Sequence, residues 1–70
     1  LEKNLDIALE KINEALESDE DLRILDTKAE VLWKLNRAEE AVQVIEKCIQ
    51  GDPDKKHYRD QKNKFLGSAT

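Results

Sequence analysis

An all-α fold of four helices, paired as antiparallel hairpins, is what this sequence predicts, and three observations predict it. Apolar residues recur at helical spacing through four separate stretches. The 70 residues are 40% charged and 39% hydrophobic but include only two Gly and one Pro, which suits amphipathic helices and leaves little turn chemistry for a sheet. The apolar stripe also repeats after 33 positions, so the helices are copies of one another.

Leu1 to Ser18 should form the first helix, with Leu5, Ala8, Leu9, Ile12, Ala15 and Leu16 on one stripe and Glu and Lys opposite. Ser18 and Asp21 have capping-box spacing, which predicts a second helix from about Glu20 to Leu35. Its apolar face is Leu22, Leu25, Ala29 and Leu32, flanked by Ile24, Trp33 and Leu35. Asn36 falls where the chain must reverse, and Asn tolerates the left-handed conformation better than any residue except Gly. A third helix follows over about Arg37 to Gln50, its stripe being Ala38, Ala41, Val42, Ile45, Cys48 and Ile49. Gly51 should end it, Asp52 should cap a fourth helix, and Pro53 should be that helix's first residue, where a missing amide hydrogen costs nothing. The fourth helix, about Pro53 to Leu66, has a thin apolar face of Tyr58, Phe65 and Leu66. Gly67 ends it, and Ser68 to Thr70 are expected to fray as a disordered tail.

Shifted by 33 positions, Ala8 meets Ala41, Ile12 meets Ile45, Ala15 meets Cys48 and Leu16 meets Ile49. The same shift sets Leu25 on Tyr58 and Leu32 on Phe65. Helices one and three are one element, helices two and four another. Residues 1–67 therefore read as one domain: a half-repeat to 18, a full repeat over 22–54 and a capping helix over 55–67.

The full repeat resembles the tetratricopeptide repeat in its size pattern: Leu25, Ala29 and Leu32 in its first helix, Ala41, Ile45 and Cys48 in its second, and Pro53 at its close. The departures are Lys28 where Leu is usual, Leu25 for Trp, Asn36 for the turn Gly, Cys48 for Ala, and a period one short of the common 34. The resemblance spans nearly the whole chain and implies a right-handed superhelix of α-hairpins. Small residues at 29 and 41 fit the physics, since they let two helices approach closely while Leu25, Leu32 and Ile45 fill either side. Lys62 replaces the small residue in the last helix, which suits a terminal cap with a polar outer face.

Composition excludes more than it assigns. A single cysteine rules out an internal disulfide, and no apolar run approaches the roughly 20 residues of a membrane span. No signal peptide is visible, and Leu1 as first residue suggests a cut or processed piece. The net charge of −4 speaks against nucleic acid. It is uneven, with 14 acids against 7 bases over residues 1–52 and 2 against 5 over 53–70, a division that can steer partners or pair copies head to tail.

No nucleophile–base pair, phosphate-cradling Gly loop or metal cluster is present, so no enzyme, cofactor or metal is expected. Cys48, on the apolar stripe, is expected to be a buried, inert thiol, and His57 lacks a second ligand at zinc spacing. Glu39–Glu40 and Asp19–Glu20–Asp21 are explained by the helix dipole. The basic run Lys55, Lys56, Arg59, Lys62 and Lys64 reads as a solvated face, or as a contact for an acidic partner.

The resemblance implies a non-catalytic protein–protein interaction module whose groove residues here are Arg23, Asp26, Glu30, Trp33 and Lys34. Trp33 is either a binding anchor or a cover for the core edge. Family members that bind acidic chaperone tails hold the peptide carboxylate with Lys and Asn in places taken here by Asp26, Thr27 and Glu30, so a cationic or amide-rich segment is the better-matched partner. The alternative is a C-terminal structural or dimerisation appendage of a larger protein, such as a thioredoxin-like or other enzyme. The first helix lacks its hairpin partner and offers a route to a homodimer.

Overall fold

The computed structural model describes residues 2–67, with side chains from residue 3 onward; Leu1 and the tail Ser68 to Thr70, expected to fray, lie outside the described residues. The chain forms α1 (Glu2–Ser18), α2 (Leu22–Lys34), α3 (Ala38–Gly51) and α4 (Lys56–Phe65), and there is no strand among the described residues. The connections are too short to let a helix restart in the same direction, so sequence neighbours are antiparallel. Side-chain pairs show the same sense. Cys48 near the end of α3 bonds Leu22 at the start of α2, and Glu46 of α3 pairs with Lys62 of α4. α2 and α4 lie side by side and parallel, Asp26 meeting His57 and Trp33 meeting Phe65.

One buried cluster holds the molecule together: Leu25, Ala29 and Leu32 from α2, Ala41, Ile45 and Cys48 from α3, Tyr58 and Phe65 from α4. Ala29, Ala41, Ile45 and Cys48 have no exposed surface, so the expected small-residue contact between α2 and α3 is present. No residue of α1 belongs to that cluster; its Leu9 and Leu16 pack against the outside of it.

Helix ends differ from expectation in three places, each for a local reason. α2 begins at Leu22, not Glu20, and its cap is Asp21, whose carboxylate accepts the Arg23 amide at 2.8 Å. Ser18 is the last residue of α1, and the Asp19 amide still bonds the Ala15 carbonyl at 3.1 Å, so the serine is spent inside a helix and forms no capping box. Gly51 is not a left-handed terminator but the last residue of α3. Packing explains it, since a Cβ there would lie 2.8 Å from Leu22 Cδ1.

Asp52 and Pro53 do not start α4. The chain turns through Pro53 and Asp54, the Lys55 amide bonds the Asp52 carbonyl at 3.2 Å, and helix begins at Lys56 without a side-chain cap. Proline's fixed φ serves the second position of a turn as well as the first of a helix, and here the turn wins. α4 buries Tyr58, Gln61 and Phe65, whereas Leu66, expected on its apolar face, is 58% exposed beyond the helix end. Asn36 and Gly67 behave as expected, with φ of 66° and 75°.

Candidate functional site: the seam between α2 and α4

The five expected groove residues divide. Asp26, Glu30 and Trp33 stand one turn apart along the flank of α2 that faces α4. His57 Nε2 lies 2.8 Å from one oxygen of Asp26. The Gln61 amide donates to the other at 3.2 Å and to Glu30 at 3.0 Å. Lys64 donates to both Glu30 oxygens at 2.9 and 3.0 Å while its ammonium sits 4.6 Å above the Trp33 ring centre. Trp33 itself is half-buried, its ring centre 5.9 Å from that of Phe65. The seam is thus a ladder of alternating acid and donor groups closed at one end by an aromatic pair.

Arg23 and Lys34 lie outside it. The Arg23 guanidinium is 84% exposed and pairs with the cap residue Asp21 at 3.0 Å. Its hydrogen bonds and charge hold the Asp21 carboxyl below its usual value. Lys34 is exposed in the last turn of α2 and lends positive potential to Glu30. Burial pushes the Glu30 carboxyl up, but the hydrogen bonds of Gln61 and Lys64, with the charges of Lys64 and Lys34, outweigh it and leave it lowered.

Three residues of the seam were not among those expected: His57, Gln61 and Lys64. Gln61 did leave a signal, being a polar residue between Tyr58 and Phe65 on the only apolar face α4 has. A buried amide there must find partners, and the nearby acids of α2 supply them. Much of the basic run serves the protein itself. Lys62 pairs with Glu46 at 3.5 Å, Lys55 lies 5.3 Å from the Tyr58 ring centre, and the Arg59 guanidinium donates to the Pro53 carbonyl.

Cys48 has no exposed surface, and burial, aided by the charge of Asp26, pushes its thiol up to about 11. Among the described residues no group of three or more His, Cys, Asp or Glu is placed to hold a metal ion. Nor is any described helix long and apolar enough to cross a membrane.

Fold and seam together define a small all-α domain of helix hairpins whose polar residues bind one another across two parallel helices. Compared with protein-family models, curated proteins and solved structures, the chain has no match in any of the three.

Proposed function

We propose that the chain is a non-catalytic interaction module, of the tetratricopeptide kind its residues resemble, that takes a partner peptide or helix on the outward face of α2. The observation that carries this reading is the half-buried Trp33, held on Phe65 and Lys64 beside a ladder of mutually bonded side chains. A rigid aromatic edge with exposed Lys34 next to it offers large contact area at little entropic cost. The cationic and amide chemistry expected of a partner for Asp26 and Glu30 is supplied here by His57, Gln61 and Lys64. That moves the proposed contact toward Trp33 and Lys34, with Arg23 at the far end. Partners recovered by affinity capture should bind Trp33→Ala and Lys34→Glu at least about tenfold more weakly, roughly 1.4 kcal/mol each. Unchanged affinity in both variants overturns the reading, and Lys34→Glu, at an exposed site, leaves the fold intact.

A second reading, the C-terminal structural or dimerisation appendage, is favoured by one observation: α1 is covered far less than its copy α3. Ile7 is 48% exposed, and no α1 residue enters the buried cluster. A tight dimer in sedimentation, lost on Ile7→Glu, would support it over the free module.

A further inference from the structure

The chain contains the same helix berth twice, once filled and once open. α2 lies in the filled one, between α3 and α4: its Ala29 is fully buried with Ala41, its Leu22 carbonyl accepts the Cys48 thiol, and its Asp26 and Glu30 meet His57, Gln61 and Lys64. Moving back 33 positions converts that berth's walls, Ala41, Ile45 and Cys48 on one side and His57, Gln61 and Lys64 on the other, into Ala8, Ile12 and Ala15 on α1 and Ile24, Lys28 and Val31 on α2. Between α1 and α2 there is indeed an open groove of about 460 Å³, lined by Ile12, Ala15, Ile24 and Thr27 together with Lys11 and the Asp21–Arg23 ion pair. Ile45 and Cys48 are 0% exposed in the filled berth, whereas Ile12 is only half-buried and Ala15 is exposed.

We infer that this groove is a second interaction surface and that it takes an amphipathic helix of α2's type from a partner protein. The chain's own copy specifies the guest's chemistry. A small residue is needed at the register of Ala29, because Ala8 stands where Ala41 does. An apolar residue is needed at the register of Asp26, because Ile24 stands where His57 does. An acid on the guest is favoured by Lys11 in the lining. Arg23 is already paired with Asp21, and Lys28, which stands in sequence where Gln61 does, lines a separate hollow with Leu9, Asn13 and Glu40. A second copy of this chain fits poorly. Its α2 is already engaged, and α4 would bring Lys62 to the small-residue register and Arg59 and Asn63 to the other two. The groove lies on the opposite flank of α2 from the seam with α4 and shares only Arg23 with the surface proposed around Trp33 and Lys34, so the test avoids Arg23.

The probe is a synthetic peptide of residues 22–35 of this chain, LRILDTKAEVLWKL, labelled at its N-terminus and titrated against the intact protein. Saturable binding is expected, with NMR shifts at Ile12, Ala15, Ile24 and Thr27. A peptide carrying Asp26→Leu should bind more tightly than the parent, and one carrying Ala29→Lys at least about tenfold more weakly. In the protein, Ala15→Glu, on an exposed position of α1, should abolish binding while leaving the circular dichroism unchanged; Thr27→Lys provides a second variant on the other wall. No binding, shifts confined to the seam, or equal affinity of the Ala29→Lys peptide overturns the inference. So does a concentration-dependent dimer that shifts the same groove residues without peptide, which would make a second copy the occupant.

Discussion

Where α2 crosses α3, neither Ala29 nor Ala41 has surface left to give. Any added methylene must push the helices apart or force its neighbours off their rotamers. Ala41→Leu should therefore cost about 1–3 kcal/mol, read as a lower midpoint in thermal or urea melts. A midpoint equal to the parent's would mean the contact is looser than its burial indicates. Cys48 makes the opposite kind of prediction. With its thiol pushed up to about 11 and no exposed surface, it should react with a disulfide reagent at pH 8 only as fast as the protein opens. Reaction at the rate of a free thiol would contradict the burial. Gly51 teaches the same lesson at the end of α3. A terminal Gly reads as conformational freedom, yet it is helical and matters for the space it leaves Leu22.

α4 is the element whose attachment the structure redefines. Its apolar face is thin, Tyr58 and Phe65 being its only buried hydrophobic residues, and the rest of its hold on α2 is polar. That makes the hold acid-sensitive. Glu30 is lowered in the folded protein, so its contribution is fully present above its ordinary value of 4.5 and is lost as pH falls through the lowered one. Glu30→Gln should be less stable than the parent at neutral pH, and the difference should shrink on acidification below about pH 4. Urea melts across that range would show it; a gap that stays constant would mean the Lys64 pair contributes nothing. The charge-assisted bonds to both Glu30 oxygens, made by a lysine that also covers Trp33, explain why this pair should count for more than an ordinary surface salt bridge.

At the scale of the whole molecule the repeat is uneven. α3 is held from two sides, by α2 and α4, and puts Ala41, Ile45 and Cys48 into the buried cluster, while its copy α1 puts no residue there and only packs Leu9 and Leu16 against the outside of it. A chain of 70 residues has on the order of 4–10 kcal/mol of total stability to distribute. α1 should therefore open before the rest. In native-state hydrogen exchange its amides should be the least protected of the first three helices, with α2 and α3 exchanging near the global limit. Equal protection across all three would show that α1 is held as firmly as its copy. Occupation of the α1–α2 groove by a helix should raise the protection of α1 most, because the guest covers both walls but α2 already exchanges near the global limit.

Four helices, their order, the small-residue contact at Ala29 and Ala41, the left-handed Asn36 and the buried Cys48 were legible from residue spacing, whereas Ala15 and Leu66, counted on the apolar stripes, are exposed and the buried Val31 was not counted. Spacing reports which face of a helix is apolar, and burial of that face is what folds the chain. Helix ends were less legible, because Ser18, Gly51 and Pro53 each suit two local conformations, and the choice depends on what packs beside them. The seam was legible only in half. Asp26, Glu30 and Trp33 lie on one face of one helix and can be found by periodicity. His57, Gln61 and Lys64 lie some 31 to 35 residues further on, and nothing local in the chain says that their side chains end on those carboxylates. Tertiary packing alone decided that pairing. Hydrogen bonds form between groups that the fold brings within about 3 Å, and sequence periodicity records faces, not distances.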